Sequence, residues 1–176
     1  MIGLLILRKP LLSLLSLIKS LRFKEVELGF DRSVAKLEAK AAEVLPPAKE
    51  GEPRVAFHER ELELAEESPR TAVIEAWLRV AAASAAALKR ATPGVREGKL
   101  FQPSYIEAKL REAHLLNDPQ LRLFRDLRYA RNAAVHSSDL SLDQSSALSY
   151  VATANRLIAL LEAIPNAPVM PAPAAP

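Results

Sequence analysis

The residues of this 176-residue chain best suited to chemistry lie between positions 119 and 136. This stretch has the spacing of an amphipathic helix, and a helical wheel with Phe124 at 0° puts Arg131 near 340°, in the middle of the apolar stripe. Beside that stripe, Arg128, Asn132 and His136 follow one another at steps of four residues. A guanidinium, a carboxamide and an imidazole therefore converge near the end of one helix.

The position of Arg131 requires a partner for its charge. Burying an unpaired guanidinium costs several kcal/mol, so this helix face must meet a carboxylate, a subunit interface or a cleft that is open to an anion. In the first case Arg131 pairs with a buried acid such as Glu75, and Asn132 and His136 only finish the helix through hydrogen bonds. In the other two cases the same residues form a site.

Four helix starts supply the elements that would position this group. They are marked by Ser68-Pro69, by capping boxes at 104–107 and 141–144, and by Asp118-Pro119. The following apolar residues have helical spacing, as in the last helix with Ala147, Val151, Ala154, Ile158 and Leu161. Short turns between four helices predict an all-α fold and a four-helix bundle.

The composition agrees with helices and excludes several kinds of chemistry. Ala and Leu supply about a third of the residues, whereas only 5% are aromatic. With no cysteine, the chain cannot form disulfides, Cys-ligated zinc sites or iron–sulfur clusters, and it has no thiol nucleophile. Its histidines, at positions 58, 114 and 136, are scattered, which argues against a polyhistidine metal site.

The net charge of +3 is unevenly distributed. Residues 1–24 contain five basic residues and no acid, so the other 152 residues carry 19 basic and 21 acidic side chains, a net charge of −2. The high pI therefore belongs to the N-terminus and says little about nucleic-acid binding by the rest of the chain.

The N-terminal segment has the pattern of an amphipathic helix that begins near Pro10, with leucines on one side and serines and Lys19 on the other. Neither of its apolar runs reaches the ~20 residues that span a bilayer. Three interpretations compete: an interfacial anchor on anionic lipid, the end of a truncated spanning helix, or a helix docked on the protein's own core. We favour membrane association; after a truncated spanning helix, Arg8 and Lys9 would place the domain on the cytoplasmic side.

The chain is thus predicted to have four parts. Residues 1–24 form a membrane-proximal amphipathic helix, and 25–61 form a connector helix followed by a Pro/Gly linker at 45–54. The compact helical bundle is expected to begin after that linker and to span 62–164. Residues 165–176 form a Pro/Ala-rich disordered tail.

The stretch Arg131-Asn-Ala-Ala-Val-His136, preceded by Phe124-Arg-Asp-Leu-Arg128, resembles the hallmark of HEPN domains, in which a histidine follows an arginine and a polar residue. The stretch 66–77 is similar to the first helix of a bacterial HEPN-like group of uncharacterised proteins, often found behind a membrane segment. Residues 19–28 resemble the juxtamembrane stretch of such proteins. The main resemblance covers roughly residues 62 to 164.

This resemblance implies a HEPN-like bundle that dimerises through the helix carrying the motif and, as in nuclease members, cleaves RNA without metal. His136 would be the general acid or base, Arg131 the electrostatic clamp and Asn132 the group that orients them. We assign Arg125 and Arg128 to substrate binding, and expect no cofactor and no metal.

The expected function is that of a metal-independent endoribonuclease in stress or phage defence, on the cytoplasmic face of a bacterial inner membrane or in the cytoplasm. The expected partners are a second copy of the chain, RNA or a nucleotide, and a membrane contacted by residues 1–24, with no DNA. The alternative is a non-catalytic HEPN-like module that binds a nucleotide or a protein.

Overall fold

The computed structural model describes residues 30, 32–46, 55–92, 95–136 and 142–166. Within these ranges the chain is helical and contains no strand, so the predicted all-α class is confirmed. The elements are α1 (residues 32–44), α2 (Val55–Glu67), α3 (Pro69–Ala91), a 3-10 turn (Glu97–Lys99), α4 (Pro103–Glu112), α5 (Asp118–His136) and α6 (Gln144–Glu162). The last four α-helices match those predicted from the sequence.

Helix α3 is the centre of the structure. It packs against α2, α4, α5 and α6, most extensively against α6, where buried alanines such as Ala87 and Ala154 allow close approach. Among the described helices it alone is long and apolar enough to cross a membrane. Its central position explains that apolarity, because Trp77, Val80 and Leu88 are fully buried in the core.

The predicted seam of α6 is confirmed, since all five of its residues named above are buried. Leu78 of α3 and Val135 of α5 follow the helical spacing of the apolar residues, which predicts that they face inward, yet they are exposed by 59% and 39%. On α3 the inward position belongs to the neighbouring Trp77, and in the last turn of α5 it belongs to Ala134. The helices are rotated so that one of two adjacent apolar residues takes the core position.

The helix starts are close to those predicted, but three of the capping residues differ. Asp143, rather than Ser141, caps α6, because its carboxylate accepts hydrogen bonds from the backbone N–H groups of Ser145 (3.1 Å) and Ser146 (3.3 Å). A carboxylate also suits the positive end of the helix dipole better than a hydroxyl. Helix α4 begins at Pro103, so its N-cap is Gln102 and the capping box predicted at Ser104 is wrong.

The N-cap of α5 is Asn117, one residue before the predicted Asp118, and it forms a reciprocal pair of hydrogen bonds with Gln120. The Asn117 N–H donates to Gln120 Oε1 at 3.0 Å, and the Gln120 N–H donates to Asn117 Oδ1 at 2.9 Å. At α3, Ser68 occupies the predicted N-cap position but forms no side-chain cap bond; its Oγ lies 2.7 Å from Thr71 Oγ1.

Helix α1 belongs to the compact structure, which corrects the expectation that the domain begins after the Pro/Gly linker. Its apolar stripe is buried, as Val34, Leu37 and Ala41 show. Polar contacts connect it to α5 and α6. Lys40 pairs with Asp126 of α5. At the end of α1, Gln120 donates to the Val44 carbonyl and Arg156 donates to the carbonyl of Leu45, the residue that follows the helix. The periodicity that suggested a connector helix is what buries it. The predicted N-terminal helix at 1–24 and most of the tail at 165–176 lie outside the described residues.

Helix α2 is held by a closed ring of polar contacts. Arg79 of α3 pairs with Glu61 and donates to Asn155 of α6 at 2.8 Å, and Asn155 donates to Glu61 at 2.8 Å. Burial lowers the pKa of Arg79, and the negative charge of Glu162 opposes that change. Because each member contacts the other two, the ring ties three helices together.

The end of α4 predicts a stabilising substitution. His114 has φ 53°, and the bonds from its own N–H to the Arg111 carbonyl and from Leu115 N–H to the Leu110 carbonyl form a Schellman motif. Glycine adopts this conformation without the Cβ penalty, so His114→Gly should raise the free energy of unfolding by about 0.5–1 kcal/mol in urea denaturation. His114→Ala, which keeps the Cβ, is the control; an equal gain from alanine would contradict the explanation.

The Asp143 cap predicts a pH dependence. The hydrogen bond from the Ser145 hydroxyl, with those from backbone N–H groups of α6, holds the pKa of Asp143 below its ordinary value. Its charged form therefore stabilises the fold above the unfolded-state pKa, and that contribution disappears as pH falls through the lower folded-state pKa.

Asp143→Asn keeps the cap and removes the charge, so at pH 7 wild type should be the more stable by about 0.3–1 kcal/mol. This difference should vanish as pH falls through the lowered folded-state pKa of Asp143. Urea denaturation of both proteins from pH 7 to pH 2 measures it, and a difference that grows on acidification would contradict the assignment.

Candidate functional site

Arg131 lies against an aromatic ring in the core. Its guanidinium carbon is 5.6 Å from the centroid of the Trp77 ring, and Trp77 is 1% exposed. The same indole packs against Phe124, with the two ring centroids 5.2 Å apart at an interplanar angle of 50°. Phe124 and Arg131 are seven residues apart on α5, so the Trp77 side chain of α3 contacts two turns of α5.

The ion pair between Arg131 and Glu75 is not formed. Glu75 is exposed, and it precedes Trp77 by two residues, which is about 200° around α3 and directs it away from α5. Arg131 forms no salt bridge with any described residue, and its Nε is buried without a hydrogen-bond acceptor. Trp77 therefore accounts for the position of Arg131 without neutralising its charge.

Tyr150 of α6 is the second aromatic group affected by Arg131. It is completely buried, and its hydroxyl donates to the Leu127 carbonyl of α5 at 3.0 Å. Burial raises the pKa of Tyr150 above its ordinary value, and the positive charge of Arg131 opposes that rise. The phenol is therefore neutral at physiological pH and acts as a hydrogen-bond donor between α5 and α6.

The remaining motif residues lie in the last turns of α5. Asn132 follows Arg131 and is half-buried, while Tyr129 and Val135 are exposed by 56% and 39%. His136 is the last residue of α5, and its side chain lies outside the described part of the structure. Arg131 and Asn132 are therefore consecutive, partly buried residues near an end of α5 that also carries exposed side chains.

The two arginines assigned to substrate binding contact a carboxylate of the protein itself. The Arg125 Nε donates to Glu107 Oε1 at 3.1 Å, and a second nitrogen of Arg125 pairs with the same oxygen. Arg128 NH1 lies 3.7 Å from Glu107 Oε2. The hydrogen bond to Glu107 raises the pKa of Arg125. The sequence assigned Glu107 to a helix cap, although its spacing on α4 equally allows contact with a neighbouring helix.

The described residues form no group of three or more histidine or acidic side chains that could hold a metal ion. Two cavities that are open to solvent lie beside α5 in this part of the chain. One, of about 360 Å³, lies against α4 next to Arg128, and the other, of about 760 Å³, lies against α1 next to Tyr129. A ligand could reach α5 from either side.

No family model matches the chain, and no match is found among curated proteins or solved structures.

The position of Arg131 predicts that its energetic coupling to Glu75 is close to zero. Glu75→Gln should change the free energy of unfolding by less than about 0.5 kcal/mol, as for other exposed positions. Arg131→Met keeps an unbranched side chain against Trp77, and its effect should add to that of Glu75→Gln within about 0.5 kcal/mol. Urea denaturation of the four proteins of this cycle measures the coupling. A coupling energy above about 1 kcal/mol would show that Arg131 and Glu75 interact, and would contradict this prediction.

Proposed function

We propose that this protein is a HEPN-like helical domain that cleaves RNA without metal, with Arg131, Asn132 and His136 at its active site. The observation that carries the proposal is the unneutralised guanidinium of Arg131, placed beside Asn132 near the end of α5. The domain acts as a dimer joined through α5, and residues 1–24 attach it to the cytoplasmic face of a bacterial inner membrane.

The contact with Trp77 supports a role for Arg131 in binding an anion. An aromatic face attracts a guanidinium, but it does not remove the unit charge as a carboxylate would. The charge is thus held in place by packing, with no acid to compete for it among the described residues. Such a fixed positive charge suits a phosphate whose negative charge increases in the transition state.

In the proposed reaction, His136 removes the proton from a ribose 2′-OH, and the oxygen attacks the adjacent phosphorus. The bond from phosphorus to the 5′ oxygen then breaks, and that oxygen receives a proton from a general acid. The products are a 2′,3′-cyclic phosphate and a 5′-OH end, and no oxidant or metal is consumed. Arg131 stabilises the charge on the phosphate oxygens, and Asn132 orients the reacting groups by hydrogen bonding.

The contacts of Arg125 and Arg128 favour a second candidate, a non-catalytic module that binds a nucleotide or a protein. Both arginines lie against Glu107, so part of the positive charge of α5 is already compensated within the domain. A protein that binds long RNA usually has a larger uncompensated basic surface. In this alternative, Arg131 binds a single anion or a partner group, and no RNA is cut.

Cleavage of a synthetic RNA by the full-length protein, purified in detergent and assayed in EDTA, tests the proposal. Wild type should give cyclic-phosphate ends, and His136→Ala should lower the rate by about 10²-fold or more, because it removes the proton-transfer group. Arg131→Met should give a loss of similar order. Glu75→Gln, on the face of α3 that points away from α5, is the matched control and should cleave normally.

Light scattering on the same samples gives the oligomeric state. A folded wild-type dimer that never cleaves RNA would favour the binding module. A rate unaffected by His136→Ala would refute the catalytic assignment, as would activity that disappears in EDTA.

A further inference from the structure

Three arginines from two helices surround the carboxylate of Glu107. Arg111 lies one turn further along α4, with its NH2 3.7 Å from Glu107 Oε1, while Arg125 and Arg128 approach from α5. The Glu107 side chain is only 13% exposed, and these three arginines are its ion-pair partners among the described residues. Three guanidinium groups and one carboxylate leave a local charge of +2 between α4 and α5.

The hydrogen bonds within this group are unequally shared. Arg125 donates two bonds to Glu107, whereas Arg111 and Arg128 remain 3.7 Å away, beyond hydrogen-bond distance. The Arg128 side chain is only 18% exposed, and its second contact is with the ring of Tyr129, at 5.3 Å. The guanidinium groups of Arg111 and Arg128 therefore form no hydrogen bond with any described residue and keep donors for a ligand.

A cavity of about 360 Å³ opens at these two arginines, and it is lined by Ser104, Glu107, Ala108, Arg111, Glu112 and Arg128. The second acid in this lining, Glu112, is already paired with Lys109 at 2.6 Å. The excess positive charge thus borders a concave space, where a ligand can contact both arginines and the Ser104 hydroxyl together.

We propose that this α4–α5 cleft, defined by Ser104, Glu107, Arg111 and Arg128, binds a phosphate monoester. Guanidinium groups match phosphate oxygens in geometry and can each donate two parallel hydrogen bonds. A phosphate monoester carries close to two negative charges at pH 7, which balances the local charge of +2, whereas a phosphodiester or a carboxylate carries one. Glu107 keeps Arg125 in place and limits the net charge.

The inference does not rest on RNA cleavage. The cleft lies against α4, whereas Arg131 lies against Trp77 of α3, and its test uses ligands that contain no scissile RNA bond. If the protein does not cleave RNA, the cleft can still bind phosphate, and if the cleft does not bind phosphate, the protein can still cleave RNA.

The primary experiment is an isothermal calorimetric titration of the full-length protein with inorganic phosphate. The protein is prepared in a buffer that contains no phosphate, and the titration gives the affinity for phosphate. Arg128→Gln and Arg111→Gln should each weaken binding by about tenfold or more, because each removes a charged donor pair. Arg122→Gln, which changes an exposed arginine of α5 outside the cleft, is the matched control and should change affinity less than about twofold. Far-ultraviolet circular dichroism of every variant confirms that the helices are retained.

Further ligands distinguish the sources of the phosphate. Adenosine 5′-monophosphate should bind at least as well as inorganic phosphate, adenosine should not bind, and dimethyl phosphate should bind about tenfold more weakly because it carries one charge. Equal binding of dimethyl phosphate would overturn the preference for a monoester. Absence of phosphate binding by wild type, or an equal loss in Arg122→Gln, would overturn the site itself.

Discussion

The insertion of Trp77 between Phe124 and Arg131 is the contact on which the arrangement of α5 depends. Trp77 is among the largest side chains in the core, and α3, which carries it, is the helix that contacts most of the others. Because Phe124 and Arg131 are two turns apart, a single indole fixes both the rotation and the axial position of α5. The same contact fixes a charge at the edge of an apolar core.

The arginines of α5 are held in two different ways, and the difference determines what each can do. Arg131 contacts an aromatic face and keeps its charge, whereas Arg125 donates its hydrogen bonds to Glu107. Arg128 is intermediate, since it lies near both Glu107 and Tyr129 without a hydrogen bond to either. Charge on this helix is therefore available at Arg131 and Arg128 but largely compensated at Arg125. The number of basic residues on α5 does not show which of its charges are compensated.

The sequence predicted features that depend on one helix at a time. Periodicity placed the buried seam of α6 and put Arg131 on the apolar stripe of α5, because a helical wheel needs no information about neighbours. It could not show that Glu107 of α4 faces α5, or that Glu75 faces away from it, because these contacts depend on how packed helices are rotated. The docking of α1 was missed for a related reason: the linker composition that follows it marks a break in the helix and gives no information on where the helix packs.

The direction of α1 determines which side of the fold lies next to the N-terminal segment. Val44, at its end, contacts Gln120 near the start of α5, while Phe30 lines a groove with Ala133 near the end of α5, so the two helices are antiparallel. Phe30, the first described residue, thus lies beside the last turns of α5, which carry Arg131 and Asn132. Five residues, 25–29, can span at most about 18 Å. If residues 1–24 bind lipid as proposed, this short connection holds the candidate site close to the membrane surface.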